Sequence, residues 1–133
     1  MELNPDCIRD ILFEVEDTTT YDDKFLYKPR DHDSFSRFNK YSIDEILYHF
    51  RQCELHGLFF KACIDSFENI DIVDLSPAGH EFLSNIRSNT IWSKTKNILE
   101  WLGVKSMDIV SKVAIGVITE LIKQGLMQFP ASP

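Results

Sequence analysis

The stretch YSIDEILYHFRQCELHGLF, residues 41–59, decides the fold. Ser42 stands three residues ahead of Glu45, the spacing at which a hydroxyl and a carboxylate satisfy each other's free backbone amides at a helix start. Tyr41, just before that cap, is placed to pack on Ile46 as a hydrophobic staple. Ile43, Ile46, Leu47 and Phe50 follow at helical spacing as one apolar face. Gly57 suits a left-handed stop, with Leu58 folding back behind it. Directly afterwards, residues 58–64 and 70–75 are rich in β-branched and aromatic side chains, separated by DSFEN, which predicts a β-hairpin.

Working outward from this helix and hairpin gives the rest of the chain. Upstream, Asn4-Pro5 starts a helix over residues 5–16, with Ile8, Ile11, Leu12 and Val15 at helical spacing. Asp6 and Asp10 lie near its positive end. DTTTYDD ends it, and a short strand at 25–27 precedes Pro29. KPRDHDSFSRFNKY, residues 28–41, has no clean period and is expected to be a loop with at most one helical turn. Downstream, Ser76-Pro77 restarts a helix whose buried side is expected to hold Ala78, Phe82, Leu83 and Ile86. After RSNT, another helix carries Ile91, Trp92, Thr95, Ile98, Leu99 and Leu102 and stops at Gly103. Ser106 opens a last helix, expected to end near residue 124.

This order predicts an α+β, mostly helical chain. Residues 1–76 are expected to form a winged helix (helix, strand, helix, β-hairpin) with a C-terminal helical extension over 77–125. These last helices either pack on the first module or form a dimer interface, and 126–133 are expected to be a flexible tail. The second helix usual in a winged helix has to lie within 30–40, where the pattern allows only a shortened or loop-like substitute.

The 133 residues are 44% hydrophobic and 12% aromatic, enough for a real core. The start shows no signal-peptide pattern, and no apolar run reaches membrane-spanning length. Cys7, Cys53 and Cys63 have no CxxC spacing, so reduced structural thiols in a cytoplasmic protein are expected. The net charge of −7 is uneven along the chain. Residues 1–23 carry −7, residues 24–40 carry +3, residues 41–75 carry −5 and residues 76–133 carry +2.

LNPDCIRDIL, IDEILYHFRQCELHGLF and LSPAGHEFLSNIRSNTIWSKTK together resemble a domain-of-unknown-function family of small bacterial and phage or prophage proteins. The similarity covers residues 3–15 and 42–96. The EILYH…GL element is widespread among winged-helix proteins, whereas GHEFLSNIR followed by IW is more particular to this family. The resemblance implies a winged helix with a helical tail and carries no activity, so it assigns no functional residue.

On a winged helix that reads DNA, helix 43–55 enters the major groove and the hairpin is the wing. Its outward side offers Asp44, Glu45, Tyr48, Arg51 and Gln52, with Lys61 on the hairpin. Arg51 and Gln52 suit base edges and Lys61 suits a phosphate. The charge of this segment opposes that use, since neutralised phosphates supply most nonspecific affinity. Lys28, Arg30, Arg37 and Lys40, interleaved with Phe35, Phe38 and Tyr41, offset it only if they fold beside the helix. A protein partner, with Tyr48, Arg51 and Gln52 as central contacts, is therefore expected ahead of DNA.

His49, Cys53 and His56 share a helical face, and all three types ligate zinc. No fourth ligand accompanies them, so a packed thiol between two partly exposed imidazoles is expected, and no metal. Asp31-His32-Asp33 is expected to be a solvated turn. His80 and Glu81 are adjacent on a helix and diverge by about 100°, so they suit a structural joint better than an acid–base pair. Gly79 beside them implies close backbone approach to the hairpin. No phosphate-binding glycine loop or nucleophile–His–Asp order is present; neither enzymatic activity nor a cofactor is expected.

In the last helix, Ile109, Val110, Val113, Val117, Ile118, Leu121 and Ile122, together with Ala114 and Ile115, fill a wide apolar arc. Asp108, Lys112, Glu120 and Lys123 occupy the remainder. So wide an arc is expected either to be buried within the chain or to be the interface of a homodimer. A helix lying on a lipid surface needs a richer basic face, and no membrane partner is expected.

Overall fold

Asn4 begins the first helix: its Oδ1 accepts the Asp6 N–H at 3.1 Å, and Pro5 takes the first position. The structure, a computed structural model, describes residues 1–128. The described residues form α1 (Pro5–Thr18), β1 (Phe25–Tyr27), a 3₁₀ segment (Pro29–Ser34), α2 (Ile43–Leu55), β2 (Phe59–Ile64), β3 (Ile70–Leu75), α3 (Pro77–Ile86), α4 (Asn89–Leu102) and α5 (Met107–Gln128). This is an α+β chain in which helix predominates. The strands make one antiparallel sheet in the order β1–β3–β2. Phe25 pairs with Ile72 on one side of β3, and Ala62 pairs with Ile72 on the other.

Ser42 caps α2 where its spacing places it, and α4 is capped by Ser88, within the RSNT stretch expected to be an interruption. Ser42 Oγ accepts the Glu45 N–H at 3.1 Å, and Ser88 Oγ accepts the Ile91 N–H at 3.3 Å. Gly57 and Gly103 stop α2 and α4 with φ of 71° and 72°, a region in which a side chain is strained. The last helix passes through Gly125 to Gln128, further than residue 124. Of the flexible tail expected at 126–133, the first three residues are thus helical, and 129–133 lie outside the described residues.

The chain divides into two compact units, the first ending at Ser84 and the second starting at Asn85. The boundary therefore falls later than residue 76, and most of α3 belongs with the hairpin. The reason is a backbone seam. Ser76 N–H donates to the Leu58 carbonyl at 2.9 Å, and a Cβ on Gly79 would overlap that same carbonyl oxygen. With Gly79 buried, the covered side of α3 runs through Phe82, Leu83 and Ile86, while Ala78 is exposed, contrary to expectation.

The core of the first unit explains residues 28–41. Phe25, Tyr27, Phe35, Phe38, Phe50 and Phe59 form a chain of ring contacts, from 5.2 Å between Phe35 and Phe38 to 6.5 Å between Phe25 and Phe38, with Phe59 joined through Phe50. The 3₁₀ segment and the turns after it deliver Phe35 and Phe38 into this cluster. His32 locks the segment from within. Its Nε2–H donates to the Tyr41 carbonyl at 2.8 Å, which leaves Nδ1 to accept from Tyr27 O–H at 2.8 Å. Burial pushes the Tyr27 phenol up to about 12, so it remains a donor.

In the second unit α4 and α5 pack on each other. Trp92, Thr95 and Leu99 are buried on α4, and Met107, Val110, Ala114 and Val117 on α5. Among the described residues, no helix is long and apolar enough to cross a membrane.

Candidate functional site

The side of α2 that enters the core is Ile46, His49, Phe50 and Cys53, all 0–1% exposed. Their i, i+3, i+4, i+7 spacing is one helical face. It is rotated from the expected Ile43–Ile46–Leu47–Phe50 face, because a histidine occupies a core position. Leu47 is consequently only half-buried, and Ile43 is exposed. The opposite face presents Asp44, Leu47, Tyr48 and Arg51, again at i, i+3, i+4, i+7, and continues to Leu55, which is 72% exposed.

Beside that face lies a concavity of about 430 Å³, lined by Asp44, Leu47, Tyr48 and Arg51 from α2, Ile64 and Glu68 from the hairpin, and Met1. The Arg51 guanidinium stands 5.9 Å from the centre of the Tyr48 ring, within cation–π range. The hairpin side is held rigidly by its turn. Asp65 accepts the Phe67 N–H at 2.8 Å, the Asn69 N–H at 3.0 Å and the Asn69 side-chain amide at 3.0 Å. These bonds, Asn69 N–H first, hold the Asp65 carboxyl below its ordinary value. They also fix Phe67 at the hairpin tip, 80% exposed.

Of the residues expected to face a partner, Tyr48 and Arg51 line this concavity. Gln52 is half-buried off to one side of α2, and Lys61 sits with φ of 52°, its Nζ 5.2 Å from the centre of the Phe60 ring. Two bases of the basic segment are committed to α1. Arg37 bridges to Glu14 at 2.7 Å and Asp17 at 2.6 Å, and Lys40 reaches Asp10 at 3.0 Å, all on α1. Burial pulls the Arg37 guanidinium down, but hydrogen bonds to Glu14 and Asp17 outweigh it and the net shift is upward. Arg30 is exposed on the 3₁₀ segment. The aromatics interleaved with these bases are turned inward: Phe38 is 0% and Tyr41 9% exposed, with Tyr41 O–H donating to Asp10 at 2.6 Å. Phe38 and Tyr41 thus present no stacking surface for bases.

His49 is also a correction, since it is buried and not partly exposed. Its Nε2 accepts the Asn4 N–H at 2.7 Å, and its Nδ1–H donates to the Glu45 carbonyl at 2.7 Å. Both nitrogens are thus occupied in clasping the start of α1 to α2, and burial lowers the ring's pKa. Cys53 is packed, and burial pushes its thiol up. His56 is exposed, its Nδ1–H donating to the Gln52 carbonyl at 2.8 Å. Among the described residues, no group of three or more His, Cys, Asp or Glu side chains stands close enough to hold a metal ion. The expected solvated turn at residues 31–33 is solvated only at Asp31 and Asp33. His80 Nε2 lies 3.5 Å from Asp74, which also accepts the Leu75 N–H at 2.7 Å.

Of the positions named for a dimer face, Val110 is buried at 1% and turned away from any open surface, while Val117, 7% exposed, lies at the floor of a groove between α4 and α5. Ile109, Val113, Ile118 and Leu121 are half-buried, and Ile122 is exposed. Sequence reasoning missed Leu47, Ile64, Glu68 and Phe67 on the other surface. A helical wheel with His49 placed inward would have found Leu47. The hairpin residues needed the register and the Asp65 turn.

The model for the family of hypothetical proteins DUF2513 matches residues 2–105. An uncharacterized protein of Haemophilus influenzae is 26% identical over 125 residues, covering 92% of this chain and 99% of that protein. No solved structure matches the chain. With the family pattern running from α1 through α4, this chain belongs to the DUF2513 family.

Proposed function

We propose that this chain is a non-enzymatic winged-helix protein that works by binding a protein partner, as an adaptor, inhibitor or regulator. The strand order β1–β3–β2, with α2 directly before the hairpin, supports the winged-helix assignment. One observation carries the choice of partner. The face of α2 that a DNA-reading winged helix would put into the major groove holds Leu47, Tyr48 and Leu55, with the base Arg51 set against the carboxylates of Asp44 and, across the concavity, Glu68. Apolar area and carboxylates suit a polypeptide carrying an apolar side chain next to a Lys or Arg, and they repel phosphates. A cytoplasmic location, from the cysteine pattern, and a phage or prophage association, from the sequence resemblance, accompany this proposal.

The test is a random-peptide display selection on the intact chain, run beside titrations of duplex DNA at varied salt. Enriched peptides should pair an apolar residue with a base and lose binding to Tyr48→Ala and Asp44→Lys. The proposal is abandoned if no peptide is enriched while duplex DNA binds with a steep salt slope that Arg51→Ala or Lys61→Ala reduces. That outcome would instead make the chain a transcription regulator.

A further inference from the structure

We propose that a second groove, between α4 and α5, is the interface of a homodimer. It has a volume of about 550 Å³, with Ile98, Val113, Val117 and Leu121 as apolar lining and Lys94 and Glu120 among its polar residues. The proposal is independent of the α2 surface, and three features of the second unit point to another copy as the occupant.

Gly116 lies mid-way along α5 and lines the groove. Glycine is a poor choice for a helix interior, and here nothing among the described residues requires it, since an added Cβ would meet none of their atoms within 4 Å. A missing side chain over open space fits the close approach of a backbone from outside.

The charges are self-complementary. Lys94 comes from α4 and Glu120 from α5, both are exposed, and neither has an ion-pair partner among the described residues. A two-fold interface sets one patch against itself, so the patch must carry both signs in exchangeable positions. A cation on one helix and an anion on the other meet that requirement. An occupant of a single charge sign would be attracted by one and repelled by the other.

The apolar surface also continues along the groove side of α4. Lys94, Ile98 and Trp101 fall at i, i+4 and i+7, and Trp101 is 84% exposed, with Leu102 next to it at 45%. Tryptophan is enriched where interfaces close.

The experiment is sedimentation velocity and light scattering on the full chain over a wide concentration range. The wild type is expected to be a dimer. Gly116→Leu fills the groove with a better helix former, so it should be monomeric with an undiminished melting temperature. Lys94→Glu should weaken the dimer by about tenfold or more, and Lys94→Glu combined with Glu120→Lys should restore it. A wild type that stays monomeric into the hundreds of micromolar overturns the proposal. So does a dimer that survives both Gly116→Leu and Lys94→Glu, because its contact must then lie elsewhere.

Discussion

At neutral pH the His49 ring has to accept one proton bond and donate another, because Nε2 faces the Asn4 N–H while Nδ1–H faces the Glu45 carbonyl. Protonating Nε2 would set two donors against each other. Burial also favours the neutral ring, so the folded-state pKa lies below the ordinary value of 6.5. The sign follows directly: below about pH 6.5 the unfolded chain takes up a proton that the folded chain resists. The stability supplied by the neutral ring is complete above that pH and is lost as the pH falls toward the folded-state value. His49→Gln can form the same two bonds and cannot titrate. Its melting temperature should therefore fall less steeply with acid than the wild type's, and equal slopes in thermal scans would dispose of this role. Gly79 is the other single position on which much rests. Gly79→Ala drives a methyl into the Leu58 carbonyl, a backbone atom that cannot swing away. The expected loss is about 1–3 kcal/mol, measured by urea unfolding.

Between residue and molecule, the instructive element is the connection at 28–41. Its aperiodic sequence correctly excludes a regular helix, but gives no hint that Phe35 and Phe38 belong to the core. That membership depends on Phe25 and Tyr27 arriving from β1 and Phe50 from α2. The starts of α1, α2 and α3 were legible because caps and proline positions are local chemistry, whereas α4 starts at Asn89 inside the RSNT stretch that reads as an interruption. The face that α2 buries was not, because residue type alone made His49 polar. Two substitutions separate what holds the connection. Phe38→Ala, at a position with no exposure, should cost about 3–5 kcal/mol. Arg37→Ala removes two carboxylate partners, yet the guanidinium is 35% exposed, so solvent and salt screen it and the loss should stay near or below about 1 kcal/mol. Urea titrations of both variants at low and high salt check the ranking, and an Arg37 effect as large as that of Phe38 would reverse the account of this element.

Over the whole molecule, charge and packing divide at nearly the same place. Residues 1–84 carry 18 acids against 8 bases, and residues 85–133 carry 3 against 6. The sequence located the charge blocks but misjudged their use, since whether a base is free depends on what it folds against. Arg37 and Lys40 are taken up by α1 and do not add to Arg51 on the α2 face. The boundary was legible only to within one helix. Ser76-Pro77 looks like a break between modules, but the hydrogen bond from Ser76 and the contact at Gly79 make it a seam that ties α3 to the start of β2. A fragment of residues 1–87 keeps that seam and the buried Phe82, Leu83 and Ile86. It should unfold in one cooperative urea transition. A fragment of residues 1–76 leaves Leu58 and Leu75, both buried in the intact chain, without the helix that follows them. It should unfold gradually, with raised binding of a hydrophobic dye. If the shorter fragment is as cooperative as the longer one, α3 is an appendage of the second unit and the seam has no part in holding the first together.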